Sequence, residues 1–483
     1  MKTAPLFLAA LLSSSPFLAA QAADAPAKPL TKEQQQAKDK VSAGDFALAR
    51  KDFQTALSIY QEAATLGDPQ AEARMADWYL TKTKDAPDYA NALPWLQRAA
   101  TGGVAKAQAD LGEILLFGFG TKKDPDAAFR WFSQSAATGN AKAEFNLGLM
   151  YQNGISTPAS VDKAEKLFLS SSKQGVIKAD YALGMLYYQQ KNFTQAFKHF
   201  SKAADKGITS AQFNAAVMAL QGVGTKPNPQ QAATWFKAAA EQKHEGAIMN
   251  LASLYMHGVG VKKNPATAYA LYQRGANLGN VDAAMQLVEM QITGSGTLKQ
   301  PEKALKTLKA LAKNNIAPAQ YRLGQLYLQG EIVDQDTEEA VSWISRAAER
   351  GIADAQFTLG QMYGSGTQVR KDPEQEYRWY KMAADQGMPA AQYNIGWMTA
   401  KGEGTEQNYE EAFKWYSLAS QQGFARAQLN LAILYQNGQG TKRDIAKAIE
   451  LYRLAAKNGD EDAQNIVKQI NEQYPPGTPL PKS

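Results

Sequence analysis

The sequence predicts an all-α fold, an array of about twelve helix hairpins stacked into a solenoid, and three observations predict it. An alanine recurs at positions 71, 107, 143, 179, 211, 247, 283, 319, 355, 391, 427 and 463, at steps of 36 residues with one exception of 32 between Ala179 and Ala211. Within Ala427 to Gly459, Leu429, Leu431, Ile433, Leu434 and Tyr435, then Ile449, Leu451, Tyr452 and Leu454, recur at the helical period on either side of Gly438-Gln439-Gly440. Helix start and stop residues return at the same period. Such a hairpin cannot bury its apolar faces alone, so it must stack on its neighbours. The repeat overrides the three or so compact domains that 483 residues would ordinarily suggest.

From the start of the chain, Met1-Lys2, an apolar run from Ala4 to Ala20 and Ala20-Gln21-Ala22 have the form of a secretory signal over 1–22. Residues 23–30 (ADAPAKPL) read as a Pro/Ala linker. Thr31-Lys-Glu-Gln34 has the form of a capping box, which opens an N-terminal hairpin over 31–70. Repeats occupy 71–462, with a short unit at 179–210 and a divergent one at 283–318. A polar-faced capping helix over 463–474 and a proline-rich tail over 475–483 follow.

Each repeated position has a physical task. Five residues past the alanine stand Gly112, Gly148, Gly184, Gly324, Gly360 and Gly396, or alanine at 76, 216, 252 and 432, as a close helix crossing requires. Tyr79, Tyr151, Tyr187, Tyr255, Tyr327, Tyr363 and Tyr435 on first helices, and Trp95, Trp131, Trp235, Trp343, Trp379 and Trp415 on second helices, are expected in the core. Asp124-Pro125, Asn228-Pro229, Asn264-Pro265 and Asp372-Pro373 set an N-cap acceptor before a first-turn proline. Gly103, Gly139, Gly175, Gly207, Gly279, Gly351, Gly387, Gly423 and Gly459, with Asn315 in the same register, close the second helices.

These residues, A-x-x-x-L-G-x-x-Y-x-x-G-x-G followed by W-[FY]-x-x-A-A-x-x-G, resemble the Sel-1-like repeat, a relative of the tetratricopeptide repeat, over nearly the whole chain after the signal. The resemblance implies a right-handed superhelix of antiparallel helix pairs that holds other proteins together, without catalysis or cofactor. The unit 283–318 departs from the pattern with Val288 at the small position, Gln291 for tyrosine and Thr307-Leu308 for the tryptophan pair, and looser packing is expected there.

Composition adds exclusions. A content of 45% hydrophobic and 20% charged residues excludes wholesale disorder. With no cysteine there is neither a disulfide nor a lipobox thiol, so a periplasmic or, alternatively, secreted monomer is expected, with no membrane span after signal removal. Three histidines, His199, His244 and His257, are too scattered for a metal site or relay and are expected at the surface or in a groove. Ser160-x-x-Lys163 and Ser170-x-x-Lys173 lack the companion motifs of a serine hydrolase. The Gly118-Phe-Gly120 and Gly258-Val-Gly260 loops follow helices, so they are turns and not phosphate cradles.

Two surfaces remain. Lys122, Lys123, Lys226, Lys262, Lys263, Arg370, Lys371, Lys442 and Arg443 form a basic loop edge, diluted by neighbouring aspartates; a solvated edge is expected, with weak contact to anionic membrane as the alternative and no nucleic acid. Three residues past the alanine, Asn146, Asn214, Asn250, Asn394 and Asn430, with Gln286 and Arg322 in register, form a row on the first helices. An amide both donates and accepts, so this row either holds a protein or peptide partner on the concave face or bonds neighbouring helices. The function expected is a non-enzymatic protein-binding adaptor of the bacterial envelope; the alternatives are a periplasmic immunity protein that neutralises a toxin and a secreted host-interaction factor.

Overall fold

The computed structural model describes residues 30–81 and 87–473, and the expected signal, most of the linker and the proline-rich tail lie outside them. The described residues form 25 helices and no strand. All are 13 residues long except the first, α1 (Lys32–Ala49). They alternate as first and second helices of twelve hairpins, from α1 with α2 (Phe53–Thr65) to α23 (Ala425–Asn437) with α24 (Ile445–Lys457), and α25 (Glu461–Gln473) covers the last. The chain divides into two compact units, Met1–Ile208 with five hairpins and Thr209–Ser483 with seven hairpins and α25.

The helix ends follow the punctuation. Thr31 makes a full capping box, accepting from the Gln34 amide while Gln34 accepts from the Thr31 amide. Asp124, Asn228, Asn264 and Asp372 cap helices that begin with proline. The cap's own amide reaches back to the first helix, as Asp124 N–H does to the Leu115 carbonyl at 2.8 Å, and this fixes the loop. Second helices end in left-handed residues, Gly103 at φ 84° and Asn315 at φ 63° among them. Lys243 takes the same conformation at φ 64°, where the sequence offers no glycine.

The core lies between the two helices of each hairpin. A Cβ added to Gly112, Gly148, Gly184 or Gly360 would stand 2.5 to 2.8 Å from the ring of Phe132, Phe168, Phe200 or Tyr380 on the partner helix. The small position is therefore a socket for one large side chain. That side chain stands one residue past the tryptophan register: Phe132, Phe168, Phe200 and Phe236 are at most 1% exposed. The expectation that the tryptophans and tyrosines form the core needs correction. Trp235, Trp343 and Trp379 are buried, but Trp95, Trp131 and Trp415 are half-buried, as are all the recurrent tyrosines except Tyr187. The half-buried rings form an outer layer in which Lys381 lies over Trp415 and Lys163 over Tyr151. In the last full repeat the fully enclosed side chains are Leu431, Leu434 and Tyr452, while Tyr435 and Leu451 pack half-buried against them.

The second glycine of each Gly-x-Gly loop joins neighbouring hairpins. Gly260, Gly404 and Gly440 lie at φ 67° to 69°, and a Cβ there would fall 2.0 to 2.2 Å from the Pro229, Pro373 or Tyr409 carbonyl oxygen at the start of the preceding second helix. Only glycine satisfies both the conformation and the approach.

In the divergent hairpin, α15 (Val281–Thr293) and α16 (Pro301–Lys313), the socket is inverted: Val288 is large, Leu308 is small for its position, and both are 0% exposed. The two backbones come close at fewer positions here than in the other hairpins.

Candidate functional site

The first helices of successive hairpins lie side by side, so side chains at fixed register meet across them. In the first unit they meet as ion pairs. Arg74 of α3 (Pro69–Thr81) grips Asp45 of α1 with two bonds of 3.0 and 3.2 Å. Lys106 of α5 (Ala105–Phe117) pairs with Asp77 and, at 3.5 Å, with Asp110. Lys142 of α7 (Ala141–Asn153) pairs with Glu113 and, at 2.7 Å, with Asp110. Burial alone would lower the Lys142 ammonium, but hydrogen bonds to Asp110 and Glu113 hold it above the ordinary lysine value. In the second unit, Arg322 of α17 (Ala317–Gln329) makes a two-pronged pair of 2.6 and 3.0 Å with Glu289 of α15. These pairs join neighbouring first helices, and Arg74, Asp110 and Arg322 among them stand in the register of the row identified from the sequence.

The row's residues are not equivalent. Asn430 donates to the hydroxyl of buried Tyr416 at 3.1 Å, and Asn394 bonds the buried Tyr380 hydroxyl in the same way. Each acts across hairpins, from a first helix to the preceding second helix, and burial pushes both phenols well above the ordinary tyrosine value. Asn146, Asn214 and Asn250 stand at the same offset from Phe132, Phe200 and Phe236, which have no hydroxyl to satisfy. Asn250 donates instead to its own helix, at the Gly246 carbonyl, 2.8 Å away. All five asparagines are half-buried, and Gln286 is exposed.

A second polar series was missed in the sequence: one residue past the repeated alanine. Gln356, Gln392 and Gln428 are 1 to 4% exposed and donate to the carbonyls of Ala348, Ala384 and Ser420 on the preceding second helix. Each then accepts from the next second helix, Gln356 from Gln386, Gln392 from Gln422 and Gln428 from Asn458, at 2.8 to 2.9 Å. The recurrent Ala-Gln dipeptide was its visible signal.

At the short unit this ladder changes character. Asp180 of α9 (Ile177–Gln189) takes the glutamine's place with 0% exposure, and an aspartate cannot donate. It accepts at 2.7 Å from Ser172 of α8 (Val161–Lys173), with His199 Nδ1 at 3.0 Å and Lys202 Nζ at 3.0 Å, both on α10 (Phe193–Asp205). Burial pushes this carboxyl up, but the bonds from His199, Ser172 and Lys202 outweigh burial and hold it below the usual carboxylate range. His199 occupies the register of the recurrent tryptophan, is 8% exposed and stacks on Tyr187 at 5.6 Å. Of the surface or groove positions expected for the histidines it takes the groove, largely buried, because the shortened unit carries Asp180 to receive it. His244 caps α13 (Glu245–His257) and stacks on Phe213, and His257 is exposed. Ser160 is the N-cap of α8, which accounts for that Ser-x-x-Lys match. The basic loop residues are all exposed.

Hairpins of this construction define an α-solenoid of the tetratricopeptide type. The Sel1 repeat model matches residues 43–68, 69–104, 105–140, 141–176, 177–208, 209–244, 246–280, 317–352, 353–388, 389–424 and 425–460, and the chain belongs to the Sel1 repeat family. The gap in that series falls on the hairpin whose socket is inverted. Among solved structures, a protective antigen present in uropathogenic Escherichia coli strains, displaying an SLR fold, is 28% identical, with 86% of this chain and 90% of that one covered at a TM-score of 0.63. A Sel1 repeat protein from Oxalobacter formigenes is 24% identical over 78% and 90% of the two chains at 0.37. An immunity protein from Pseudomonas aeruginosa is 22% identical over 56% and 89% at 0.26. No curated protein matches. Members of the family generally serve as protein-interaction scaffolds. No helix among the described residues is long and apolar enough to cross a membrane.

Proposed function

We propose that this protein is a non-enzymatic adaptor of the bacterial cell envelope that holds a protein or peptide partner on the wall formed by its first helices. The alignment of that wall carries the reading. Lys106 with Asp77 and Lys142 with Asp110 and Glu113 bring charges from successive hairpins into one strip, and Asn146 continues it. Partly exposed ion pairs contribute little to folding, roughly 0 to 1 kcal/mol each, so they remain available for exchange with a partner's charges and backbone. The protein of uropathogenic Escherichia coli that is similar over most of both chains is a protective antigen, which supports a setting accessible to an immune response. The expected export signal over 1–22 agrees with it.

Crosslinking and pull-down from the envelope of the source cell tests the proposal. Asn146→Ala with Lys142→Ala is expected to reduce recovery of the partner while leaving the melting temperature nearly unchanged. Asn394→Ala, which removes a bond to a buried phenol, is the structural control and is expected to lower the melting temperature. Equal recovery of the same partners by the Asn146/Lys142 variant would remove this wall from the binding surface.

A further inference from the structure

The short unit carries a groove beside its second helix. In its register the recurrent tryptophan is His199, drawn inward by Asp180, and the space left between α8 and α10 is a cavity of about 520 Å³. Lys173 from α8 and Lys198 and Lys202 from α10 line it, together with the amides of Asn192 and Gln195. One carboxylate, Glu165, lines it, and a second, Asp180, lies beneath. Glu165 accepts from the Tyr187 hydroxyl at 2.7 Å, and Asp180 is fully buried beneath Ser172, His199 and Lys202.

Lys202 is held in place by Ser172 at 3.0 Å and Asp180 at 3.0 Å, yet its side chain remains 50% exposed. Lys173 and Lys198 have no ion pair among the described residues. His199 bonds Asp180 through Nδ1, which leaves Nε2 for a ligand. Three ammonium groups spread over two helices need several acceptor oxygens on one ligand, which a single carboxylate does not offer and a phosphate does.

We propose that this groove is a binding site for a phosphate-bearing group, seated between Lys173, Lys198 and Lys202 against the edge of His199. The site is independent of the partner-binding wall, because it lies between second helices. Asp180 positions it: by fixing Lys202 and turning His199 inward, the carboxylate converts a rung of the amide ladder into a cationic pocket.

With only three histidines in the chain, proton NMR reads the site directly. His244→Gln and His257→Gln assign two of the imidazole signals and leave His199 intact. Inorganic phosphate, added at constant pH and ionic strength against chloride, is expected to shift the His199 signal saturably and to leave the other two in place. Lys173→Gln with Lys198→Gln leaves the Asp180, Ser172 and Lys202 contacts intact and should weaken the response by about tenfold without changing the melting temperature.

A second arm replaces phosphate with vesicles of phosphatidylglycerol in phosphatidylcholine. Cosedimentation that the double lysine variant loses identifies the source as a lipid headgroup; a phosphate response without cosedimentation identifies a soluble phosphate compound. The site is overturned if His199 stays unmoved and no cosedimentation occurs, if all three histidines shift alike, or if the double variant responds like the parent in both arms.

Discussion

Gly360 shows how much of this molecule rests on single side-chain volumes. A Cβ at this position would lie 2.5 Å from the Tyr380 ring, which is 5% exposed and has no free space to move into. Gly360→Val is therefore expected to cost about 1 to 3 kcal/mol through overpacking, read as a lower urea midpoint with an unchanged denaturant slope. A wild-type denaturation curve would contradict the socket. The tyrosines in these sockets bring a second requirement, since a buried phenol must find a partner. Asn430→Ala leaves the Tyr416 hydroxyl without its donor and is expected to destabilise by about 1 to 3 kcal/mol, whereas Asn430→Ala combined with Tyr416→Phe should recover most of that loss. The phenylalanine sockets at Phe132, Phe200 and Phe236 show that the ring alone suffices there. A double-mutant cycle by calorimetry measures the coupling, and additive effects would mean that the 3.1 Å contact carries no energy.

At the scale of the hairpin, large and small are exchanged as a pair. Leu308→Tyr in the divergent hairpin should overpack against Val288 by about 1 to 3 kcal/mol, and adding Val288→Gly should relieve it, because the double variant restores the ordinary socket. If Leu308→Tyr alone is neutral, the hairpin has slack and the inverted pair is not compensated packing. The short hairpin makes a prediction about pH. The bonds from His199, Ser172 and Lys202 hold the folded-state pKa of Asp180 below the ordinary carboxylate value, so its contribution is present above that ordinary value and is lost as pH falls through the lower folded one. Asp180→Asn is expected to lower the melting temperature at neutral pH, and the gap from the parent should begin to narrow only below about pH 4 and close as pH falls through the lower folded-state value. A gap independent of pH would mean that the carboxylate's charge is not what holds Lys202 and His199.

The hairpins, their caps and their glycine stops were legible in the sequence because each recurs at a fixed period and has a local cause. Which of two adjacent rings fills the core was not: Trp131 and Phe132 both lie within an apolar stripe, and only the position of the crossing helix at Gly112 decides between them. The Asn430 to Tyr416 bond spans 14 residues across a loop, so no helical spacing announces it. His199 looked like an isolated histidine by count; its partner Asp180 lies 19 residues earlier on the preceding helix, so no spacing within α10 announces its burial.

Over the whole molecule, stability in a solenoid is the sum of hairpin terms and nearest-neighbour interfaces, so folding does not depend on a single central core. The second compact unit, Thr209–Ser483, contains seven hairpins and the capping helix α25, and its sockets, amide rungs and asparagine-to-phenol bonds pair residues within it. Expressed alone, residues 209–483 are expected to show a helical circular dichroism spectrum and a cooperative melt. Cutting again to leave residues 209–280 retains two hairpins, fewer than the three or so that repeat stacking needs, and that piece is expected to be mostly unfolded. A coil spectrum for 209–483 would show that its hairpins require the first unit to fold; a cooperative melt for 209–280 would show that single interfaces here are stronger than nearest-neighbour stacking allows.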